Sequence, residues 1–166
     1  EKTKSLLRPG HADYTGFVKY DGFNDYRGGG HFSGRLTAPI VFAGAVAKQI
    51  LKKKGIIIGS HIKSIGDVED DYFDSVNIKK ELLEELSKKE FPTIDEEKAL
   101  KMKEDILKAR EELDSIGGIV ECAILNLPAG IGSPFFNSVE SILSSLLFSI
   151  PAVKGVEFGA GFNISR

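Results

Sequence analysis

The chain has 166 residues, of which 42 % are hydrophobic and 28 % charged, and its formal net charge is −2. Length of this order sets a single domain, residues 1–166, with enough chain to bury a core without disulfides or metal. The balanced charge gives no general ground for nucleic acid or an anionic membrane as partner, the one cysteine excludes an intrachain disulfide framework and a multi-cysteine zinc site, and no run approaches the roughly 18 to 20 apolar residues of a membrane span.

No signal-peptide pattern opens the chain, so the expected location is the cytoplasm. The start at Glu1-Lys2-Thr3, with Met102 as the only methionine, reads as a processed product or an excised piece of a longer protein.

In chain order, residues 1–33 are rich in glycine and aromatics without a helical period, and predict loops and short extended pieces. Residues 38–54 predict a helix. Ala43, Gly44 and Ala47 open it to close approach of another backbone, lysines gather where cations suit the helix dipole, and Gly55 stops it. Residues 56–65 predict a strand with Ile56, Ile58 and Ile62 on one face and His61 and Lys63 on the other. An acidic loop leads to a short charged helix over 78–90. A longer helix follows over 95–114, with Ala99, Met102, Ile106, Ala109 and Leu113 along one face. The run "IVECAILNL" predicts a second strand, with Cys122 as an inert core thiol. "PAGIGSP" predicts a tight loop, and residues 137–149 a helix capped by Asn137 with Glu140. "VKGVEFG" predicts a last strand. Irregular alternation of helices with two-faced strands points to an α+β fold, a mostly antiparallel sheet packed against helices.

Chemistry concentrates between Arg8 and Val41. Gly28-Gly29-Gly30 let the backbone approach a ligand, and a glycine-rich loop opening a helix favours an anion. The glycines fit neither the phosphate-loop nor the dinucleotide-binding pattern, and taken alone they are better explained by a plain flexible turn. In His11-Ala12-Asp13 an extended backbone places both titratable groups on one side, so the carboxylate could orient the imidazole for proton transfer. The alternative is a structural loop histidine. His31 reads either as a ligand to phosphate or a ring edge, or as an exposed loop residue. His61 reads as an ordinary residue with no partner in its own segment. The three histidines share no recurring spacing, so no metal is expected. The carboxylates of 67–74 and 81–85 read as solvated charge.

These residues together resemble the chorismate synthase family. The matching elements are Arg8 to Asp13, Lys19-Tyr20, Arg27 to Gly30, Ser33-Gly34-Arg35-Leu36-Thr37 and the small-residue helix after them. "DSIGG" from Asp114, "LPAGIGSPFF" from Leu127 and "AVKGVEFGAGF" from Ala152 then follow in order. The resemblance implies part of a β-α-β sandwich. It also implies an enzyme, a carbon–oxygen lyase that converts 5-enolpyruvylshikimate 3-phosphate to chorismate and phosphate by 1,4-anti elimination, with reduced FMN as cofactor. It implies His11 as the catalytic histidine with Asp13 beside it, His31, Phe32 and Ser33 along the flavin, and Arg35 on the anionic substrate. A homotetrameric parent is implied as well.

The chain departs from the family in three places. His31-Phe32 stand where many members have Arg-Ser, removing one guanidinium. Leu36-Thr37-Ala38-Pro39 stand where many members have Glu-Thr-Ala, and Pro39 is tolerated only in a first turn, so the helix is expected either to begin near Thr37 or to have a distorted first turn. The family's opening Gly-x-Ser-His-Gly segment and its long C-terminal part have no counterpart here. The chain is therefore expected to be a central portion of the enzyme, inactive alone, with weak or absent FMN binding. A non-catalytic binding or scaffolding domain that keeps the fold is the alternative.

Overall fold

A computed structural model describes residues 6–165. Length alone gives one domain; contacts group the chain into two compact units, Glu1–Ala45 with Ala129–Arg166, and Val46–Pro128. Helix α2 (Thr37–Lys53) carries the chain from the first to the second. No helix among the described residues is long and apolar enough to cross a membrane.

The second unit is a three-stranded antiparallel sheet in the order β2-β1-β3, built from β1 (Ile57–Ile65), β2 (Val68–Glu69) and β3 (Gly118–Leu125). Helices α3 (Lys80–Leu86) and α4 (Glu96–Glu111) pack against it. Gly59 permits a close approach here, since a Cβ on it would lie 2.7 Å from the Cβ of Leu83. Ile56, Leu83, Leu86, Ala99, Met102 and Ala123 are buried and form the core. Burying side chains of this size contributes about 1.5–3 kcal/mol each for the larger ones. α4 begins at Asp95, whose carboxylate accepts the N–H groups of Glu97 at 2.7 Å and Lys98 at 3.3 Å. Its apolar stripe is buried at Ala99 and Met102. Leu113 lies past the helix at positive φ and is exposed.

Here the structure corrects the expected strand face. The covered side of β1 is the one carrying Gly59 and His61, and a register shift between Ile62 and Ser64 brings Ser64 to a buried position. His61 is 0 % exposed and its ring nitrogens face two carboxylates. Nδ1 lies 2.9 Å from Asp70 Oδ2 and Nε2 lies 3.0 Å from Glu121 Oε2. Phe73 packs on the ring, with centroids 4.4 Å apart. Asp70, expected in solvated charge, is 1 % exposed. Its carboxylate also accepts the N–H groups of Ile94 at 2.6 Å and Asp95 at 2.9 Å. Glu121 further accepts from Lys63 Nζ at 3.2 Å. Burial raises both carboxyls, yet the donors around each outweigh it and leave both below the ordinary range. Cys122 is not in the core. Alternation along β3 puts it on the opposite face with the 70 % exposed Val120. Its sulfur is still shielded enough that desolvation pushes the thiol up.

In the first unit, residues 13–19 form helix α1 (Asp13–Lys19), where loops were expected. At about two turns it is too short to show a period. A contact distant in sequence accompanies it: Phe32 sits over Gly16, where a Cβ would lie 2.6 Å from its ring. Helix α5 (Val139–Phe148) is capped by Ser138, whose hydroxyl accepts the Ser141 N–H at 3.1 Å. Asn137 is not the cap; it closes the turn Phe135–Asn137, and its carbonyl accepts the Ser133 N–H at 2.9 Å. The expected strand "VKGVEFG" joins no ladder among the described residues. The stripe of α5 exists, but Ile142 and Leu146 are exposed, as are Phe135 at 88 % and Phe136 at 90 %. α2 starts at Thr37 with Pro39 in its first turn, and a Cβ on Gly44 would meet nothing within 4 Å, so among the described residues no backbone closely approaches Gly44.

Replacing His61 by leucine is expected to destabilise the chain by about 3–5 kcal/mol, since it leaves the buried Asp70 and the half-buried Glu121 without the imidazole they share; urea denaturation measures this. The depressed carboxyls of Asp70 and Glu121 contribute stability that is present above their ordinary values, about 4, and is lost as pH falls through the folded-state values. The urea midpoint should therefore drop on acidification below that range. It should drop less in Glu121→Gln.

Candidate active site: a glycine loop beside a histidine–carboxylate pair

The site lies within the first unit. Three consecutive glycines sit at positive φ, Gly28 at 58°, Gly29 at 84° and Gly30 at 50°. An L side chain rarely adopts such angles, and three in succession reverse the chain sharply. Gly30 has no alternative, because a Cβ there would lie 2.3 Å from the Asp25 carbonyl oxygen. Asp25 braces the loop entry: it accepts from Arg27 Nε at 2.8 Å, Nη2 at 3.2 Å and the backbone N–H at 3.1 Å. The Arg27 guanidinium holds the Asp25 carboxyl below its usual range.

Arg35 closes the other side. Its Nη1 donates to the Gly28 carbonyl at 2.6 Å, and its backbone N–H reaches the Ser33 hydroxyl at 3.3 Å. Ser33 thereby caps the single turn Gly34–Leu36 that leads into α2. Among the described residues one of the five Arg35 guanidinium donors is engaged, which anchors the planar fork and leaves donors that suit an anion.

His11 stands against the loop. A Cβ on Gly29 would lie 3.3 Å from His11 Cε1 and 3.5 Å from Arg8 Nη2. His11 Nδ1 is 2.7 Å from Asp13 Oδ1. Arg8 grips the same carboxylate, with Nε 2.8 Å from Oδ2, Nη2 3.0 Å from Oδ1 and the backbone N–H 3.1 Å from Oδ2. These donors hold the Asp13 carboxyl far below the usual carboxylate range. Asp13 also opens α1, where negative charge suits the free N–H groups.

The structure thus brings together His11, Asp13, Arg35 and the glycines. Ser33 is joined to them through Arg35. Phe32 packs on Gly16 of α1, and His31 is exposed with its ring centroid 6.5 Å from that of Tyr20. Arg8 and the Asp25–Arg27 pair were missed as site residues. The string Arg-Pro-Gly-His-Ala-Asp contained the signal for Arg8, a guanidinium three residues from the imidazole and five from the carboxylate. His61 stays outside the site, in the other unit.

The arrangement defines an α+β protein in which a left-handed glycine loop, flanked by guanidinium groups, lies against a histidine–carboxylate pair. A sequence model of the family described as chorismate synthase matches residues 1–166. The chorismate synthase of Pyrococcus abyssi (strain GE5 / Orsay) is 52 % identical over 167 residues, covering 100 % of this chain and 45 % of that protein. The chorismate synthase of Dehalococcoides mccartyi (strain ATCC BAA-2266 / KCTC 15142 / 195) is 48 % identical over 166 residues, covering 100 % of this chain and 44 % of that protein. A crystal structure of chorismate synthase superposes with a TM-score of 0.81 at 34 % identity, over 93 % of this chain and 48 % of that one. The chain belongs to the chorismate synthase family. It spans a little under half the length of the curated relatives it matches. The expected mix of helices and antiparallel sheet is what the structure and this likeness show.

Gly30→Ala should lower stability by about 1–3 kcal/mol, the scale of backbone strain at such a position, while Gly34→Ala, which has open space, should stay within about 0.5 kcal/mol. Thermal melts of the two variants beside the parent chain test the pair.

Proposed function

We propose that the chain is the central portion of a lyase that converts 5-enolpyruvylshikimate 3-phosphate to chorismate and phosphate by 1,4-anti elimination, with reduced FMN as cofactor, and that it forms one domain of a cytoplasmic homotetramer. Family membership supports the reading. The observation that carries it is the placement of His11, ordered by Asp13, against a left-handed glycine loop with Arg35 across it.

The residues fit anionic groups. The missing Cβ of Gly29 leaves its backbone open beside His11, and Arg8, Arg27 and Arg35 surround the loop with guanidinium groups. Arg35 would hold a carboxylate or phosphate of the substrate, and Ser33 with His31 and Phe32 would lie along the cofactor. When bound, reduced FMN supplies transient electron density to the breaking C–O bond, with no net redox change. His11 exchanges a proton at the ring nitrogen not engaged by Asp13. Asp13 keeps the ring oriented, and Gly29 puts no Cβ into the space beside it. Positioning and preorganised charge supply most of such a rate enhancement and need the complete set of groups. The family's second histidine segment and C-terminal contacts are not among these 166 residues, so the chain alone should bind FMN weakly and not turn over.

Three measurements test this. In a full-length protein carrying these residues, His11→Ala should lower turnover about 10²- to 10⁴-fold; turnover within twofold of wild type would sink the assignment. Arg35→Ala should weaken substrate binding by about 1.5–3 kcal/mol and flavin binding less, as paired titrations would reveal. An anaerobic phosphate-release assay on the 166-residue chain alone should show no turnover, and full turnover would show that the remaining segments are dispensable.

A further inference from the structure

Arg8 Nη2 lies 3.2 Å from His11 Nδ1 and 3.2 Å from His11 Nε2. An atom equidistant from both ring nitrogens at that range sits over the imidazole face, because in the ring plane it would collide with Cε1. It is therefore not hydrogen-bonded along either lone pair. The in-plane partner of Nδ1 is Asp13 Oδ1 at 2.7 Å. That carboxylate is fixed at both oxygens by the Arg8 fork and by the Arg8 backbone N–H. An ionised carboxylate only accepts, so Nδ1 carries the hydrogen, and in the neutral ring Nε2 carries the free lone pair.

We propose that Arg8 is a positioning residue: through Asp13 it holds His11 in the Nδ1–H tautomer and leaves Nε2 as the atom that exchanges the proton. This rests on the reading of His11 as the proton-transfer residue. It adds the residue that selects which ring nitrogen exchanges the proton. Without the fork, Asp13 can turn its carboxylate to solvent, and the imidazole relaxes towards the Nε2–H form that free imidazole side chains favour. Arg8 acts on the reaction without touching a reactant. A lysine at this position keeps the charge but not the two-point grip, and restores the order only in part.

The test has two arms. Long-range ¹H–¹⁵N spectra of the full 166-residue chain, with the signal assigned by loss in His11→Gln, report the tautomer of the neutral ring. Wild type should show Nδ1–H. Arg8→Gln should raise the Nε2–H to Nδ1–H ratio about tenfold or more, the effect of one lost charge-assisted contact, with Arg8→Lys between. Wild type in the Nε2–H form, or an unchanged ratio in Arg8→Gln, overturns the proposal. In the full-length protein, Arg8→Gln should lower kcat about tenfold or more with substrate KM within about threefold. A raised KM with unchanged kcat would make Arg8 a substrate ligand and overturns the positioning role. A wild-type full-length protein that releases no phosphate would defeat the functional reading instead, and the tautomer arm would still decide the role of Arg8.

Discussion

A charge buried without a partner is among the most expensive things a fold can contain, and the Val46–Pro128 unit is arranged around avoiding it. His61 joins two carboxylates. One belongs to the loop after β2 and the other to β3. Asp70 passes the constraint on, because its oxygens also fix the N–H groups of Ile94 and Asp95 just ahead of α4. Sheet, loop and helix entry therefore share one polar knot inside a mostly apolar core. Apolar packing tolerates small errors of registry. A knot of this kind does not, since each donor left unmatched costs the full desolvation of its group. The register of β1 on β3 is fixed where His61 lies opposite Glu121.

The candidate site solves a different problem with similar parts. It must present charge at the surface and keep it ordered. Asp13 accepts from Arg8 and pairs with His11, so a carboxylate that would be mobile in water becomes a fixed plate. Arg35 is tied to the Gly28 carbonyl in the same manner. Side chains ordered before a ligand arrives lose less freedom on binding, which is where preorganised sites gain affinity. The glycines contribute by absence: no Cβ of Gly29 fills the space that faces the imidazole.

How much of this was legible in the chain follows from the range of each interaction. Helices α2 and α4, strands β1 and β3 and the Gly55 stop are written in local periodicity and turn chemistry, and were read within a few residues. α1 escaped because its length is under the reach of a period and its stabilising contact comes from Phe32. The cap of α5 was placed one residue early, since Asn137 and Ser138 are both good caps and only backbone geometry separates them. His61 was misjudged because its partners lie outside its own strand, one after the next turn and one on a different strand. Asp70 was lost among neighbouring carboxylates that are solvated. The segment from Val153 shows the opposite error, a strand-like pattern that joins no ladder among the described residues. Within the site, the ordered motifs brought out His11, Asp13 and Arg35. Arg8 was quoted with them but not weighed, since nothing in a linear string says that a guanidinium folds back over the ring.

The separation of His61 from Glu121 also orders events during synthesis. The two residues are 60 positions apart, and the chain leaves the ribosome from its N-terminus. At about 5–20 residues per second, His61 waits several seconds before its second carboxylate exists, while Asp70 follows it after nine positions. Until then β1 has only β2 to pair with, and its other edge stands open beside a half-satisfied imidazole. Any chaperone that shields nascent sheet edges would find its longest opportunity in that interval.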